Sequence, residues 1–231
     1  MESVDTDKKM EQPNKGKKYL GYAGMYNRKI KRIIGFCLSV ALLVVLSPLY
    51  VLIALAIIIE SGFPVFYRAD RGGYQGKPFK IYKFRSMVKN ADQIGGGTTA
   101  LNDSRITKVG SFLRKTKLDE IAQLVNIIKG EMSFVGPRPE LLQYTSQYTG
   151  DEECILKVRP GITDYSSLEF ISLDEIVGAG NADEVYEKIV LKRKNQLRVK
   201  YAMEVSLETD FKLFFQTVFM TAKKTAKIIL R

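Results

Sequence analysis

The chain has 231 residues, enough for one domain with a real core or for a smaller domain plus a membrane element. It carries 36 Lys and Arg against 25 Asp and Glu, and the net charge of +11 suits an anionic partner such as nucleic acid, anionic lipid or a phosphorylated substrate. The absence of histidine excludes Ser-His-Asp and Cys-His catalysis and every His-ligated metal site. Carboxylates are therefore the leading candidates for acid, base or nucleophile.

The first predicted element is a membrane segment. A polar tail over residues 1–26 and a short basic stretch lead into an uncharged apolar run from Ile33 to Ile59, which is long enough to span a bilayer as a helix. The run is too long for a signal peptide, and no small-residue cleavage site follows it. Ser47-Pro48 at its middle predicts a kink, because proline removes one helix hydrogen bond. Cys37 lies in this run, far from Cys154, so we expect no disulfide and a cytosolic setting.

Basic residues flank the apolar run on both sides. They are Arg28, Lys29, Lys31 and Arg32 before it, and Arg68, Arg71, Lys77, Lys80, Lys83 and Arg85 after it. The tendency of basic flanks to stay in the cytoplasm assigns both ends to that side, which a helix that enters, bends and returns can satisfy. A kinked single span with one badly placed flank is the alternative, and these features alone leave both open.

Three elements are predicted in the middle of the chain. The alternation of apolar and polar residues predicts a strand over residues 78–84, and the glycine-rich stretch at 92–104 predicts a flexible loop. Apolar residues at helical spacing predict a helix over residues 117–129, with Thr116 as its N-terminal cap and Gly130 at its C-terminus.

The C-terminal part is more acidic and then amphipathic. Residues 140–195 are predicted to be rich in helix, with an interruption at residues 159–161. From Asp210 to Arg231, aromatic and aliphatic residues share one side while lysines supply the charge. This pattern is typical of a helix lying in the membrane interface, and a helix packed on the core fits it equally well.

The block from Arg105 to Glu140 carries the candidate chemistry. Asp119 and Glu120 are adjacent carboxylates able to act as nucleophile, base or metal ligand, although acids in a first turn also simply complement the helix dipole. Several cations surround the pair and suit a phosphate site: Arg105, Lys108, Arg114, Lys115 and Lys117. A basic face against anionic lipid would explain these cations, but not the acids among them.

Two further segments bring cations toward the same region. Gly136-Pro137-Arg138-Pro139 is a rigid turn that presents one arginine, which suits bidentate contact with phosphate. A structural turn with an exposed arginine is the alternative. The predicted strand around Lys83 and Arg85 follows the membrane element and supplies more positive charge.

Taken in order, these segments resemble the bacterial sugar transferase family, the monotopic polyprenyl-phosphate phosphoglycosyl transferases, in its small form. The resemblance covers nearly the whole chain from about Asn27. It rests on the basic-flanked run with Ser47-Pro48, KIYKFRSM at 80–87, FLRKTKLDEIAQLVNIIKGEMSFVGPRPE at 112–140, VRPGIT at 158–163 and the tail around Asp210.

The resemblance implies a helix-rich α+β fold. A re-entrant membrane helix over residues 27–62, broken at Ser47-Pro48, would be followed by a cytoplasmic catalytic domain over residues 63–231 with amphipathic interfacial helices. The protein would sit at the cytoplasmic face of the bacterial inner membrane. Membrane lipid is an expected partner, nucleic acid is not, and a homo-oligomer is left open.

The resemblance also implies an activity: transfer of a sugar 1-phosphate from a UDP-sugar to polyprenyl (undecaprenyl) phosphate with release of UMP, as the first membrane step of a surface glycan. Asp119 would be the covalently phosphorylated nucleophile, and Glu120 a base or metal neighbour, with Mg²⁺ at the pair. Four further residues match positions that bind substrate or lie near the site: Lys83, Arg114, Arg138 and Asp210.

The chain departs from the family pattern at two places. Ser86 stands where threonine is common, and Asp164-Tyr165-Ser166-Ser167 replaces a segment that we expect to border the sugar, which leaves the sugar open. Three rival functions remain: a membrane-anchored nucleic-acid binder, a non-catalytic scaffold of a glycan pathway, and a glycosyltransferase that releases UDP.

Overall fold

The computed structural model describes residues 20–229; residues 1–19 of the predicted polar tail, Leu230 and Arg231 lie outside them. Within this range the fold is α+β and rich in helix, as the sequence predicted. The α-helices are α1 (Lys31–Val45), α2 (Ser47–Ser61), α3 (Ala91–Ile94), α4 (Lys108–Thr116), α5 (Leu124–Lys129), α6 (Leu142–Thr145), α7 (Tyr165–Glu169), α8 (Leu173–Val177), α9 (Ala182–Val185), α10 (Leu191–Glu204) and α11 (Leu207–Ile229). The strands are β1 (Phe66–Arg71), β2 (Phe79–Phe84), β3 (Ser133–Val135) and β4 (Gly161–Thr163).

The apolar run folds as two helices that meet at a break, so the predicted kink at Ser47-Pro48 is confirmed. Pro48 opens α2, where its missing N–H costs no helix hydrogen bond, and the Ser47 hydroxyl donates to the Val44 carbonyl at 2.8 Å. No single described helix is long and apolar enough to cross a bilayer. The pair Tyr26–Val45 and Ser47–Ser61, bent by 63°, meets that criterion of length and composition only when the two are taken together.

One side of the bent pair packs on the rest of the chain. Ile53 and Ile57 of α2 are buried against Phe84 and Leu113, and burying a side chain such as Ile57 contributes about 1.5–3 kcal/mol. The other side presents a large apolar surface, with Val45 exposed by 72% and Ile59 by 84%. The bent pair is therefore fixed to the domain while offering an apolar face outward.

Two small sheets lie beneath the bent pair. Strands β1 and β2 form an antiparallel hairpin with Phe66 opposite Phe84, which confirms the strand predicted over residues 78–84. Strands β3 and β4 pair in parallel and bring the segment before Gly136 against the segment that follows Pro160. The sheets thus place residues 79–84, 133–138 and 161–164 near one another.

The C-terminal helices build a second core. Tyr201 and Val205 from α10 and its end pack with Leu213 of α11, and Cys154 is buried in the same cluster. Helix α11 packs on this core through Leu213, which supports the alternative of a packed helix. It also exposes Phe211 and Phe219, and its position in the membrane interface stays a prediction. Cys37 and Cys154 are both free thiols, as expected.

Two details of the predicted elements were wrong. The stretch predicted as a loop at 92–104 begins within the short helix α3. Thr116 does not cap the next helix; it is the last residue of α4, and its hydroxyl donates to the Phe112 carbonyl at 2.8 Å. Gly130, by contrast, ends α5 with a φ of 85°, a left-handed conformation that favours glycine, so its predicted role is confirmed.

Candidate active site

A sharp turn in the backbone positions the Asp-Glu pair. Helix α4 ends at Thr116, and Lys117 adopts a left-handed φ of 61° before a 3₁₀ turn over Leu118–Gln123 begins. This turn places Asp119 and Glu120 in its first residues and buries both, with 4% and 7% of each residue exposed. Buried carboxylates require compensating partners or pay a desolvation cost, so the surroundings of each oxygen decide its chemistry.

Glu120 is held by two cations from distant segments. Lys83 Nζ lies 3.1 Å from Oε1, and the Arg138 guanidinium forms a fork with both carboxylate oxygens, donating from Nη1 to Oε2 at 3.1 Å and from Nη2 to Oε1. Burial alone would raise the pKa of Glu120, but Arg138 and Lys83 outweigh it and hold the pKa well below its ordinary value. Glu120 is therefore ionised and held in place, and both of its carboxylate oxygens accept hydrogen bonds.

Asp119 has the opposite environment. Its Oδ1 is buried and has no hydrogen-bond partner among the described residues. Burial and the charge of Glu120 raise the pKa of Asp119, and the charges of Lys83 and Arg114 offset this only in part. A buried carboxylate oxygen without a partner is poorly solvated and well placed for nucleophilic attack or for a cation.

The loop that carries Arg138 is fixed at several points. Arg138 Nη1 donates to the Ile162 carbonyl at 2.9 Å, and its backbone N–H donates to Oδ2 of the fully buried Asp164 at 3.2 Å. Asp164 also accepts bonds from Ser166 and Ser167. The segment flagged as a departure from the family pattern thus supports Arg138, a role that the sequence reasoning did not assign to Asp164.

Arg114 is a cation whose side-chain partners are hydroxyl groups. Its guanidinium donates to Thr99 Oγ1 at 2.8 Å and lies 3.5 Å from Ser86 Oγ. No carboxylate pairs with it among the described ion pairs, although its charge acts on Asp119. Arg114 therefore places a positive charge beside the pair without a carboxylate partner among the described residues, whereas Arg105 is tied to Asp103.

Asp210 has other partners in this structure. Its carboxylate pairs with Lys31 Nζ at 2.9 Å and accepts bonds from the hydroxyls of Tyr26 and Tyr201. These contacts join the start of the bent helix pair to α11. The structure thus gathers three of the predicted substrate-binding residues, Lys83, Arg114 and Arg138, around Asp119 and Glu120; for Asp210 a role at the donor stays a prediction.

A buried network behind the Arg138 loop escaped the sequence reasoning. Glu140 pairs with the fully buried Arg198 at 2.9 Å and accepts bonds from the Tyr186 hydroxyl and from the Leu141 backbone at 3.0 Å. Burial would raise the pKa of Glu140, but Arg198 and Tyr186 hold it below its ordinary value. The signal in the sequence was the last residue of GPRPE, a carboxylate placed directly after a rigid turn.

The acids near the site do not form a preassembled cage for a metal. Among the described residues, no group of three or more Cys, Asp or Glu side chains converges as ligands would. The unpartnered Oδ1 of Asp119 nevertheless fits contact with a cation, whereas both oxygens of Glu120 already accept bonds from Lys83 and Arg138. Any divalent ion here would depend on Asp119 and on oxygens from a ligand.

Comparison with known proteins agrees with this geometry. The family model described as "Bacterial sugar transferase" matches residues 26–224. The UDP-glucose:undecaprenyl-phosphate glucose-1-phosphate transferase of Escherichia coli K12 is 39% identical over 197 residues, which are 84% of this chain and 40% of that protein. The undecaprenyl-phosphate galactose phosphotransferase of Salmonella typhimurium LT2 is 33% identical over 220 residues, 89% of this chain and 41% of that protein.

A relative of more similar length also matches. The sugar transferase EpsL of Bacillus subtilis 168, described as uncharacterized, is 33% identical over 189 residues, covering 82% of this chain and 85% of that protein. The chain spans well under half of the two longer relatives, so their printed activities belong to longer proteins. The match over residues 26–224 and the clustered Asp119, Glu120 and Arg138 lead to one conclusion: the chain belongs to the bacterial sugar transferase family.

Proposed function

We propose that this protein transfers a sugar 1-phosphate from a UDP-sugar to polyprenyl (undecaprenyl) phosphate and releases UMP, through a covalent intermediate on Asp119. The observation that supports this most is the contrast within the pair. Glu120 is clamped by Lys83 and Arg138, while the buried Oδ1 of Asp119 has no partner among the described residues. One carboxylate organises the cations, and the other stays available to react.

The proposed reaction has two displacements at one phosphorus. Asp119 Oδ attacks the sugar-bearing phosphorus of the donor, the bond from this phosphorus to the bridging oxygen breaks, and UMP leaves with that oxygen. A phosphate oxygen of the lipid acceptor then attacks the same phosphorus and releases the Asp119 carboxylate. The product is a polyprenyl diphosphate sugar, and no net proton transfer is required. Two displacements predict ping-pong kinetics.

The cations must cancel charge before an anionic nucleophile can approach a pyrophosphate. Arg114 is bonded only to hydroxyls among the described contacts, so it is the cation freest to meet the donor phosphates. Arg138 and Lys83 share their charge between Glu120 and an incoming phosphate. Removing one such preorganised donor typically costs about 10²–10³ in kcat.

We propose Mg²⁺ as the cofactor. Asp119 would be its protein ligand, and Glu120 would lie next to the ion without binding it directly. A bound Mg²⁺ supplies further neutralisation of the donor diphosphate. The unpartnered Oδ1 of Asp119 supports this assignment, whereas direct ligation by Glu120 would require it to give up a bond to Arg138 or Lys83. Glu120 therefore fits the role of orienting the cations better than that of a ligand.

We propose that the bent pair α1–α2 enters the cytoplasmic leaflet of the bacterial inner membrane and returns, leaving the catalytic domain on the cytoplasmic side. Three observations support this: the 63° bend, the exposed apolar face and the basic residues on both flanks. The acceptor's phosphate lies at the membrane surface because its tail is in lipid. A re-entrant helix would hold Asp119 at that level.

The test is the nucleotide released by the full-length protein in detergent with Mg²⁺, undecaprenyl phosphate and a panel of UDP-sugars. We expect UMP from the wild type, none from Asp119→Asn, and normal release from Asp70→Asn, a matched change at an exposed carboxylate of the β1–β2 hairpin. Release of UDP would identify a glycosyltransferase instead. Turnover by Asp119→Asn would refute the covalent mechanism, and no nucleotide from any donor would favour the scaffold alternative.

A further inference from the structure

A polar cleft lies beside the candidate active site and shares only Arg105 with the residues predicted for that site. The cleft has a volume of about 410 Å³, within the usual range for small-molecule sites, and lies between residues 94–105 and the turn at 179–183. Two hydrogen bonds tie its walls together: Leu101 N–H donates to the Gly178 carbonyl at 2.9 Å, and Thr98 N–H donates to Asp183 Oδ1 at 2.7 Å. These two bonds hold the walls of the cleft together, so the cleft is part of the fold.

Arg114 connects this cleft to the catalytic pair. Its guanidinium donates to Thr99, which lies between two residues that line the cleft, Thr98 and Ala100. Arg114 stands in the last turn of α4, five residues before Asp119, and its charge acts on the Asp119 carboxylate. If the phosphates of the donor lie at Arg114, one end of the donor would extend toward the cleft. That end is either the uridine or the transferred sugar.

The chemistry of the lining distinguishes between those ends. Among the described residues, no aromatic ring lines the cleft, so a uracil base would find no stacking surface there. Arg105 is the only cation of the lining in the part of the chain that the structure describes. Its guanidinium is bonded to Asp103 and to the carbonyls of Ala91 and Gly96, so these residues offer no free positive charge for phosphate. The remaining polar groups are amides, hydroxyls and carboxylates, which suit a neutral ligand rich in hydroxyls.

We propose that this cleft, rather than the segment at 164–167, binds the transferred sugar ring of the donor and that Asn102 and Asp183 select among sugars; the proposal rests on the proposed transferase function. Asn102 lines the cleft from a left-handed φ of 57°, a conformation that costs most side chains energy. Asp183 uses Oδ1 to hold Thr98, while Oδ2 lies against Gly96 and receives no hydrogen bond within the described residues. Both side chains can therefore face sugar hydroxyls.

Two substitutions test the proposal with little change to the backbone. Asn102→Gly keeps the left-handed conformation and removes the amide, and Asp183→Asn keeps an oxygen for Thr98 while replacing an acceptor with a donor. Asn90→Gly is the matched control, since Asn90 has the same φ of 57° and lies outside the cleft. The full-length proteins are compared with UDP-glucose, UDP-galactose, UDP-N-acetylglucosamine and UDP-N-acetylgalactosamine.

We expect kcat/KM for the preferred donor to fall about tenfold to hundredfold in both cleft variants, as losing one sugar hydrogen bond predicts, with a changed ratio between donors. Inhibition by UMP, which lacks the transferred sugar, should stay unchanged, and Asn90→Gly should behave as the wild type. Unchanged donor ratios would overturn the proposal. So would weaker inhibition by UMP, which would mark a uridine site, or an equal effect of Asn90→Gly.

A binding measurement separates failure of this proposal from failure of the proposed function. Calorimetry with the same UDP-sugars and with UDP requires no turnover, so it remains informative if the wild type releases no UMP. The expected result is that the sugar adds affinity over UDP in the wild type and adds about tenfold less in the cleft variants. Equal affinities for UDP and the UDP-sugars, or an equal gain in all variants, would refute the sugar subsite.

Discussion

The two adjacent carboxylates should affect stability in opposite directions when each is neutralised. Asp119→Asn removes a buried charge whose ionisation the fold disfavours, since burial and Glu120 raise its pKa. We therefore expect this substitution to raise the free energy of unfolding at neutral pH while abolishing turnover. Glu120→Gln removes a charge that the fold favours, since Arg138 and Lys83 hold its pKa well below the ordinary value despite burial. It should destabilise the protein.

The contacts of Glu120 determine how much stability we expect Glu120→Gln to lose. Breaking a buried ion pair by removing one partner costs about 3–5 kcal/mol. The side chains of Lys83 and Arg138 keep 25% and 26% exposure, so water can partly compensate them, and we expect about 2–3 kcal/mol. For a chain of this size that loss corresponds to a fall in Tm of about 4–12 °C.

The pH dependence gives a second signature. The stabilisation from Glu120 is present above its unfolded-state pKa of about 4.5 and is lost only as pH falls below it, so the deficit of Glu120→Gln should persist at mildly acidic pH. The penalty from Asp119 is complete above its raised pKa and disappears as pH falls toward its unfolded-state pKa of about 3.8. The gain from Asp119→Asn should therefore shrink on acidification.

The assay is thermal unfolding of the wild type and both variants in one detergent, with EDTA to keep divalent cations from Asp119. The comparison is made across a pH series. If Asp119→Asn lowers Tm as much as Glu120→Gln does, Asp119 is stabilised by its surroundings, and its assignment as an unpartnered carboxylate is wrong. A neutral effect of Glu120→Gln would likewise refute the clamp.

Three further predictions concern other parts of the chain. Glu140→Gln should cost about 3–5 kcal/mol because it leaves the buried Arg198 unpaired, whereas Glu169→Gln, at an exposed ion pair, should cost less than about 1 kcal/mol; thermal unfolding compares them. Pro48→Ala should straighten the break between α1 and α2 and move the N-terminus to the outer side of the membrane. If labelling still finds the N-terminus in the cytoplasm, this prediction is wrong. Turnover should fall with decreasing pH at an apparent pKa above the ordinary aspartate value, because Asp119 must be ionised; a pH-rate profile measures it.

Local sequence patterns determined several elements of this protein. A proline in the middle of an apolar run fixed the position of the break at Ser47-Pro48, and the period of two predicted β2 within one residue. Glycine after the last apolar turn located the end of α5 at Gly130. The order of the motifs also led to the family and to Asp119 and Glu120. Apart from the order of the motifs, which extends along nearly the whole chain, these signals lie within a few residues of the feature that they predict.

The tertiary structure decided the surroundings of the two carboxylates. Glu120 meets Lys83 from 37 positions upstream and Arg138 from 18 positions downstream, and it is these contacts that separate a clamped carboxylate from a free one. The ion pair of Lys31 with Asp210 and the bond that the Arg138 backbone N–H donates to Asp164 are likewise made between distant segments. The sequence shows which residues are neighbours along the chain, but not which distant residues make these contacts. The charge and burial around each side chain, and with them the pKa values of Asp119 and Glu120, follow from how the sheets and helices pack.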